Sequence, residues 1–305
     1  MSILINSSTR VLVQGITGFQ GRMDTEFSLA YGTKIVCGVT PGRAGEIVHG
    51  VPTFNTVRAA IGRHPADASI LYVPAPALRD AALEAMEAGI KLLVATTENV
   101  PRHDASLIVA EAQKRGVKIV GFNTNGIITP GECKLAGIGG DKPERIYWPG
   151  RIGVCSRSGG MSAEISWTLK KAGLGVSTCV SMGGDPITGL MMADYLRLFE
   201  ADPETDAMVV FGEPGSGHEQ GVANAVASGE IRKPVFALIA GVFQENYPRG
   251  VSFGHVAAMI ADEADTATAK RKMLAKAGVT VVSGLDELAA SVRQIMQAPA
   301  AMRKA

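Results

Sequence analysis

The sequence lacks the features that usually mark membrane, secreted and nucleic-acid-binding proteins. No apolar run approaches the roughly 20 residues that span a bilayer. The first residues, MSILINSSTR, have no basic region followed by an apolar core. Lys and Arg number 30 against 29 Asp and Glu, so no net field attracts nucleic acid or an anionic membrane. We therefore predict a cytoplasmic protein with no nucleic-acid or membrane partner, which must bind any anion through local contacts.

Cysteines and aromatic residues are also scarce. Phe, Trp and Tyr make up 5% of the chain, whereas glycine occurs 36 times, a composition typical of an α/β protein with small aliphatic side chains and many tight turns. No CxxC spacing joins the four cysteines, which predicts buried free thiols and no metal site. These cysteines are Cys37, Cys133, Cys155 and Cys179.

Short β-branched runs alternate with helical patterns along the chain. RVLVQG, KIVCGV, ASILYVPAP, KLLVATT and VKIVGFN predict strands, and patterns such as LRDAALEAMEAG predict helices that end at glycine. After the turn-rich stretch TPGECKLAGIGGDKPERIYWPG, the alternation resumes with RIGVCS, VSTCVSM, AMVVFGE, PVFALIAG and VTVVSG. Such alternation indicates doubly wound parallel sheets. We predict two α/β domains, 1–130 and 150–305, joined by a linker at 131–149.

The first strand runs into a glycine-rich turn, VLVQGITGFQG. Its glycines let the backbone approach a phosphate, and the following helix offers unpaired N–H groups and the positive end of its dipole. The spacing GxxGxxG differs from the GxGxxG of dinucleotide sites, and a tight turn without any ligand would need the same glycines. The turn alone therefore leaves both interpretations open.

The end of the second strand separates the ligands that such a turn can bind. An NAD site places Asp or Glu there to bind the ribose hydroxyls, whereas KIVCGV is followed by Thr40, Pro41 and Arg43. A guanidinium suits an additional phosphate on the ribose, as in coenzyme A or NADP. NAD is therefore disfavoured, and the other two ligands both stay open on these residues.

Nine motifs, in this order, resemble the α-subunit family of succinyl-CoA synthetase: QGITGFQG, YGTKIVCGVTPGRAG, GVPTFNTV, YVPAPA, TENVP, ITPGECK, SRSGG, GGDPITG and FGH. The resemblance covers essentially the whole chain and implies a CoA-binding Rossmann-like domain followed by a flavodoxin-like ligase domain. It implies an ADP- or GDP-forming carboxylic acid–CoA ligase that works through a phosphohistidine and an acyl phosphate. It also implies an ATP-grasp β subunit that holds ATP or GTP with Mg²⁺, in an αβ or α2β2 complex.

The resemblance assigns roles to residues of both domains. Its CoA site comprises Thr17, Gly18, Phe19, Gln20, Arg43, Thr96, Thr97 and Glu98. Arg43 stands where the family usually has lysine, which keeps the cation and changes its geometry. On the sequence alone, a strand-end carboxylate such as Glu98 also suits an ordinary helix N-cap.

In the ligase domain, SFGHVAAMIA contains His255, which matches the family's phosphorylated histidine. A neutral imidazole nitrogen can accept a γ-phosphoryl group, although without the resemblance a lone histidine is more often structural. Glu213, at the end of VVFGE, matches the glutamate that orients this histidine. The turn that would present backbone N–H groups to the phosphoryl group comprises Ser158, Gly159 and Gly160. Surface positions are expected for the other histidines, His49, His64, His103 and His218.

The acid site departs from the family. Ala163 stands where the succinate enzymes have a tyrosine that lines the substrate site, and the stretches SRSGGMS and FQENYPRGVSFGH resemble ATP-citrate lyase. Loss of a phenol ring leaves volume and removes a hydroxyl partner, which changes the acid that fits. We therefore expect a small di- or polyanionic carboxylic acid, for which succinate is disfavoured and malate, citrate and other acids stay open.

Two alternative functions stay open on the residues. A non-enzymatic protein that senses CoA or a nucleotide would keep the glycine turn, but it would not need His255 and Glu213 together. An NADP-dependent oxidoreductase would use Arg43 for the 2′-phosphate of the cofactor.

Overall fold

A computed structural model describes residues 2–255 and 257–297. The chain forms two compact units. The first unit consists of residues 4–143 with 187–190, and the second of residues 2–3, 144–186 and the described residues from 191 onward. The division between residues 143 and 144 falls inside the predicted linker 131–149, in which Cys133–Leu135 forms a strand.

Strands and helices alternate in the first unit. In chain order they are β1 (Arg10–Gln14), α1 (Phe19–Tyr31), β2 (Lys34–Val39), β3 (Ile47–Val48), β4 (Val51–Phe54), α2 (Val57–Ile61), β5 (Ala68–Leu71), α3 (Ala75–Glu87), β6 (Leu92–Ala95), α4 (Arg102–Arg115), β7 (Lys118–Gly121), β8 (Gly126–Thr129) and β9 (Cys133–Leu135). The first sheet has the order β3-β4-β2-β1-β5-β6-β7. Its pairs are parallel except for the antiparallel pair β3–β4.

The second unit repeats the alternation. Its elements are β10 (Pro149–Ser156), α5 (Gly159–Lys171), β11 (Val176–Ser181), α6 (Met192–Ala201), β12 (Ala207–Gly212), α7 (His218–Ala227), β13 (Val235–Ile239), α8 (Ala267–Lys276), β14 (Thr280–Val282) and α9 (Leu285–Gln297). Within this unit the strands follow the order β14-β13-β12-β10-β11, and all neighbours are parallel. The two parallel-dominated sheets confirm the predicted fold class.

The cores explain the unbroken apolar runs of the sequence. Every residue of β5, β6, β12 and β13 is buried. A parallel sheet is covered by helices on both faces, so its strands bury the side chains of both faces and do not alternate. The hydrophobic packing therefore fixes the positions at which the strands end, and with them the positions of the polar residues that follow.

Helix ends agree with the glycine signals of the sequence. Helices α1 and α4 end at Gly32 and Gly116, which have φ angles of +102° and +65°. Glycine adopts this left-handed conformation without the steric cost that a Cβ adds. The sequence pattern therefore predicts these two helix ends.

The four cysteines are buried and unbonded, as the sequence predicts. Burial raises the pKa of Cys37 to about 12 and that of Cys133 to about 11. Among residues 2–255 and 257–297, no helix combines the length and apolar character that crossing a membrane requires.

Candidate active site

Two neighbouring strands of the second unit end side by side. β10 and β12 are parallel, with Ser156 paired to Phe211, so their carboxyl ends lie at the same edge of the sheet. The N–H of Arg157, which follows β10, donates to the carbonyl of Phe211 at 3.2 Å. Glu213 directly follows β12. The topology thus brings together two charged residues that are far apart in the sequence.

The carboxylate of Glu213 contacts the imidazole of His255. Their atoms Oε1 and Nδ1 lie 2.7 Å apart, and 12% and 28% of the two side chains are exposed. An ionised carboxylate only accepts hydrogen bonds, so this contact favours the tautomer with the proton on Nδ1. The lone pair of the imidazole is then on Nε2, and this nitrogen can act as a nucleophile.

Arg157 is a third member of the cluster, which the sequence analysis did not identify. Its side chain is completely buried, and its Nε lies 3.4 Å from Oε1 of Glu213. Nε has no hydrogen-bond partner, so its attraction to the carboxylate is that of an ion pair without a hydrogen bond. The other guanidinium nitrogens donate to Oγ of Ser216 and, at 3.3 Å, to the carbonyl of Gly184. The sequence signal that could have identified Arg157 is its position directly after an apolar strand.

The predicted phosphate-binding turn forms the start of helix α5. Ser158 is the N-cap, and its Oγ accepts a hydrogen bond from the N–H of Met161 at 3.3 Å. The N–H of Ser158 donates to Oγ of Ser156 at 3.2 Å. Gly159 and Gly160 belong to the first turn, where no preceding helical carbonyl accepts from their N–H groups. Of the three predicted amide donors, that of Ser158 is therefore taken by Ser156, and those of Gly159 and Gly160 have no intrahelical acceptor.

His218 is buried, so the expectation of a surface position is wrong. Only 2% of this residue is exposed, and its Nδ1 has no hydrogen-bond partner. Burial, reinforced by the positive charges of Arg157 and Lys270, lowers its pKa to about 3. His218 is therefore neutral at physiological pH and inaccessible to a second molecule.

Ala163 lies on the half-buried face of α5. It lines a shallow cavity of about 280 Å³ together with Arg145, Ile146, Glu164 and Trp167. His255 and Glu213 are not among the residues that line this cavity. The lining of this cavity therefore shows no contact between Ala163 and the histidine, and the assignment of Ala163 to the acid site stays a prediction.

The glycine-rich turn of the first unit borders a cavity of about 660 Å³. The predicted CoA residues Thr17 and Gly18 line it, and Oγ1 of Thr17 lies 3.2 Å from Oγ1 of Thr40. Gly15 has a φ of +78°, and a Cβ there would collide with the backbone carbonyl of Tyr72. The close approach of the turn to the backbone that follows β5 therefore requires glycine. The cavity is otherwise lined by Gln14, Gly15, Val39, Thr40, Pro41, Tyr72, Val73, Pro74, Ala77, Asp80, Ala81 and Glu84.

The remaining predicted CoA residues lie outside this lining. Phe19 is 84% exposed, and Gln20 donates to the buried carboxylate of Asp24 at 2.8 Å. Arg43 is exposed and pairs with Glu46 at 2.9 Å.

The threonines after β6 have partners within the unit. Thr96 and Thr97 donate to the carbonyls of Leu71 and Val73, at 2.9 and 2.7 Å, whereas Glu98 is exposed. The hydroxyls of the two threonines therefore hold the end of β6 against the end of β5.

Each unit matches a known domain family. Residues 6–99 match the CoA binding domain, and residues 149–295 match the succinyl-CoA ligase like flavodoxin domain. Over 297 residues the chain is 42% identical to subunit alpha 1 of a succinate–CoA ligase [ADP-forming] from Archaeoglobus fulgidus, which covers 97% of this chain and 99% of that protein. Over 300 residues it is 39% identical to the malate–CoA ligase subunit alpha of Methylorubrum extorquens, with coverage of 97% and 99%.

A solved structure supports the same relationship. ATP citrate lyase from Methanothrix soehngenii, in complex with citrate and coenzyme A, superposes with a TM-score of 0.89 at 26% sequence identity. The match covers 96% of this chain and 50% of the lyase chain. The present chain therefore spans half the length of that protein.

Proposed function

The chain belongs to the family of α subunits of ADP-forming CoA ligases, which work with a β subunit, and from this premise we propose that His255 carries the phosphoryl group between nucleotide and acid. The observation that supports this role is the 2.7 Å contact between Nδ1 of His255 and the Glu213 carboxylate. The relatives give no support to a CoA sensor or to an NADP-dependent oxidoreductase.

The proposed reaction has three displacements. First, Nε2 of His255 attacks the γ-phosphorus of ATP or GTP, and the bond to the β–γ bridging oxygen breaks to release the nucleoside diphosphate. A carboxylate oxygen of the acid then attacks the phosphohistidine phosphorus, which frees Nε2 and forms an acyl phosphate. Finally the CoA thiol attacks the acyl carbon, and inorganic phosphate leaves with the electrons of the C–O bond while the thiol loses its proton.

Two features of the chain would assist the first two steps. Glu213 accepts from Nδ1 and therefore stabilises the positive charge that the imidazole gains when Nε2 attacks. The N–H groups of Gly159 and Gly160, at the positive end of the dipole of α5, are suited to bind the phosphoryl oxygens. No acidic side chain occurs in the first turn of α5, so nothing there opposes an anion.

The nucleotide belongs to the partner in this proposal. We assign ATP or GTP with Mg²⁺ to an ATP-grasp fold of the β subunit, in an αβ or α2β2 complex, because the chain spans 99% of a relative that is itself only one subunit of its ligase. The chain alone would then catalyse no turnover. We propose that the reaction takes place in the cytoplasm, where a nucleoside triphosphate and CoA are both available.

The cavity of the first unit is suited to the nucleotide end of CoA. Thr17 and Gly18 border it at the start of α1, where free N–H groups favour a pyrophosphate. Arg43 extends from the loop after β2, next to Thr40 and Pro41 of the cavity wall, and its guanidinium suits the ribose phosphate. Phe19, Gln20, Thr96, Thr97 and Glu98 complete the proposed site.

For the acid, we propose a di- or polyanionic substrate other than succinate. Relatives of similar identity are named for different acids, succinate and malate. Ala163 lines a surface cavity in which a tyrosine would occupy much of the space. Malate and citrate, which are more substituted than succinate, are the first candidates.

Labelling with γ-³²P-ATP tests the proposed function. The complex with its β subunit should acquire an acid-labile, base-stable label, and His255→Asn should acquire none because an amide cannot accept the phosphoryl group. Succinate, malate and citrate are then added one at a time to find the acid that discharges the label. Label on the Asn variant would place the nucleophile elsewhere, and turnover by the chain without the β subunit would overturn the division between subunits.

A further inference from the structure

A buried lysine of helix α8 lies directly beneath the loop that carries Glu213. Only 4% of the Lys270 side chain is exposed. Its Nζ donates to the carbonyl of Glu213 at 2.8 Å, to that of Ser216 at 3.1 Å and to that of Gly215. The three carbonyls belong to one short segment between β12 and α7. One ammonium group therefore holds the whole loop.

The lysine is paired with a buried carboxylate. Glu219, in the first turn of α7, is completely buried, and its Oε2 lies 2.7 Å from Nζ of Lys270. Its Oε1 accepts from the backbone N–H of Glu213 at 3.3 Å. A Cβ on Gly212 would come within 3.0 Å of the Glu219 carboxyl carbon, so the carboxylate packs closely against the strand end. The ion pair thus contacts both the N–H and the C=O of Glu213.

The location of the pair is unusual for a purely stabilising contact. Removing two charges from water is costly, and an apolar pair of similar volume often stabilises a fold as well or better. Here both charged groups form hydrogen bonds with the backbone of Glu213. The side chain of Glu213 in turn orients His255. The same loop supplies Ser216, which accepts from Arg157. The pair therefore acts on His255 through Glu213, and on Arg157 through Ser216.

We propose that Lys270 and Glu219 are positioning residues that fix the backbone of Glu213 so that its carboxylate reaches Nδ1 of His255. The proposal deepens the proposed function, because it assumes that His255 is the phosphoryl acceptor. Neither residue touches a substrate in this arrangement. Their effect passes through the 213–216 loop.

The single variant Lys270→Met tests the pair but leaves the Glu219 charge buried and unpaired. Loss of one partner of a buried pair lowers the melting temperature by about 10 °C. Displacement of the carboxylate by about 1 Å lowers the rate of His255 phosphorylation by about 10²-fold. A folding defect alone would also reduce the label, so this variant by itself does not distinguish positioning from stability.

The double variant Lys270→Met with Glu219→Gln separates positioning from stability. It removes both charges, so we expect the melting temperature to return towards that of the wild type while the single-turnover phosphorylation rate stays low. Lys233→Met is the matched control. Lys233 also donates to two carbonyls, those of Phe199 and Asp202, but it holds a different loop of the same unit. Its loss should change stability and leave the phosphorylation rate within a few-fold.

The tautomer of His255 gives a readout that stability does not affect. In the wild-type complex, ¹⁵N spectra of labelled histidine should show His255 with the proton on Nδ1, with the signal assigned from the Asn variant. In the double variant we expect both tautomers. A wild-type rate or an unchanged tautomer in the stable double variant would overturn the proposal. If the wild type acquires no label at all, the proposed function fails instead, and the tautomer comparison still tests the positioning.

Discussion

Gly184 packs face-on against the imidazole of His255. A Cβ added to Gly184 would lie 2.6 Å from Cγ of the ring and 2.8 Å from Nε2, closer than real Cβ contacts. Gly184 also supplies the carbonyl that accepts from Arg157. The motif GGDPITG thus places a glycine against the ring, where a side chain would displace it.

The change Gly184→Ala should displace the ring from Glu213. We expect the rate of His255 phosphorylation by ATP to fall by about 10²-fold, since displacement of a reacting group by about 1 Å has effects of this size. Single-turnover labelling of the complex measures it. Gly217→Ala is the control, because a Cβ there meets no atom within 4 Å. Equal rates for the two variants would mean that the ring adapts to the methyl group.

The change Glu213→Gln should slow the transfer without unfolding the protein. An amide of the same shape cannot offer the charge that stabilises the phosphorylated imidazole, so we expect a loss of about 10²-fold in the rate of label uptake. The affinity for CoA should stay close to that of the wild type, whereas the melting temperature should fall, because the buried guanidinium of Arg157 loses the carboxylate charge beside it. Transfer at the wild-type rate would show that Glu213 has no role in the phosphorylation of His255.

His218 should make the protein sensitive to acid. Its folded pKa, about 3, is below the unfolded value near 6.5, so the unfolded state binds more protons between these values and stability falls as the pH decreases through this window. The loss is about 1.4 kcal/mol per pH unit, or about 2 kcal/mol by pH 5. Urea unfolding at pH 7 and pH 5 should show this loss in the wild type and not in His218→Phe. The same pH dependence in both proteins would mean that His218 is not the source of the acid sensitivity.

The change Arg43→Ala should weaken the binding of CoA more than that of dephospho-CoA. The guanidinium is exposed and already paired with Glu46, so we expect the low end of charge-assisted contacts, about 10-fold in Kd. Titration calorimetry with both ligands measures the difference. Glu46→Gln is the matched control and should not weaken CoA. Equal losses for the two ligands would place Arg43 away from the ribose phosphate.

The change Ala163→Tyr tests the acid site. If the cavity beside Ala163 receives part of the acid, the ring should lower kcat/KM for the native acid by about 10-fold or more, and ATP labelling of His255 should be unchanged. Because Ala163 is half-buried, we expect little change in melting temperature. If the acid discharges the label on His255 at the wild-type rate, Ala163 does not select the acid, and the selecting residues would belong to the partner subunit.

The sequence predicts the parts of the molecule that depend on local patterns. The strands before Glu213 and Ser158 follow from apolar runs, and the parallel topology then requires their ends to meet. Arg157 was missed because an arginine after a strand is typical of a surface turn, and its burial depends on Glu213 in another segment. Lys270 in ATAKRKMLAK resembles an ordinary solvated lysine for the same reason. Long-range charge pairing leaves no periodic signal in the sequence.

The burial of the cysteines bears on chemical selectivity. Burial raises the pKa of Cys179 to about 12, as it does for Cys37, so both remain protonated thiols, which are poor nucleophiles. The proposed reaction would bring a reactive acyl phosphate and a free thiol together in one catalytic cycle. An exposed thiolate of the protein would compete with CoA for the acyl group and exchange into mixed disulfides with it. The protein keeps its four cysteine thiols buried and so out of reach of both reactions.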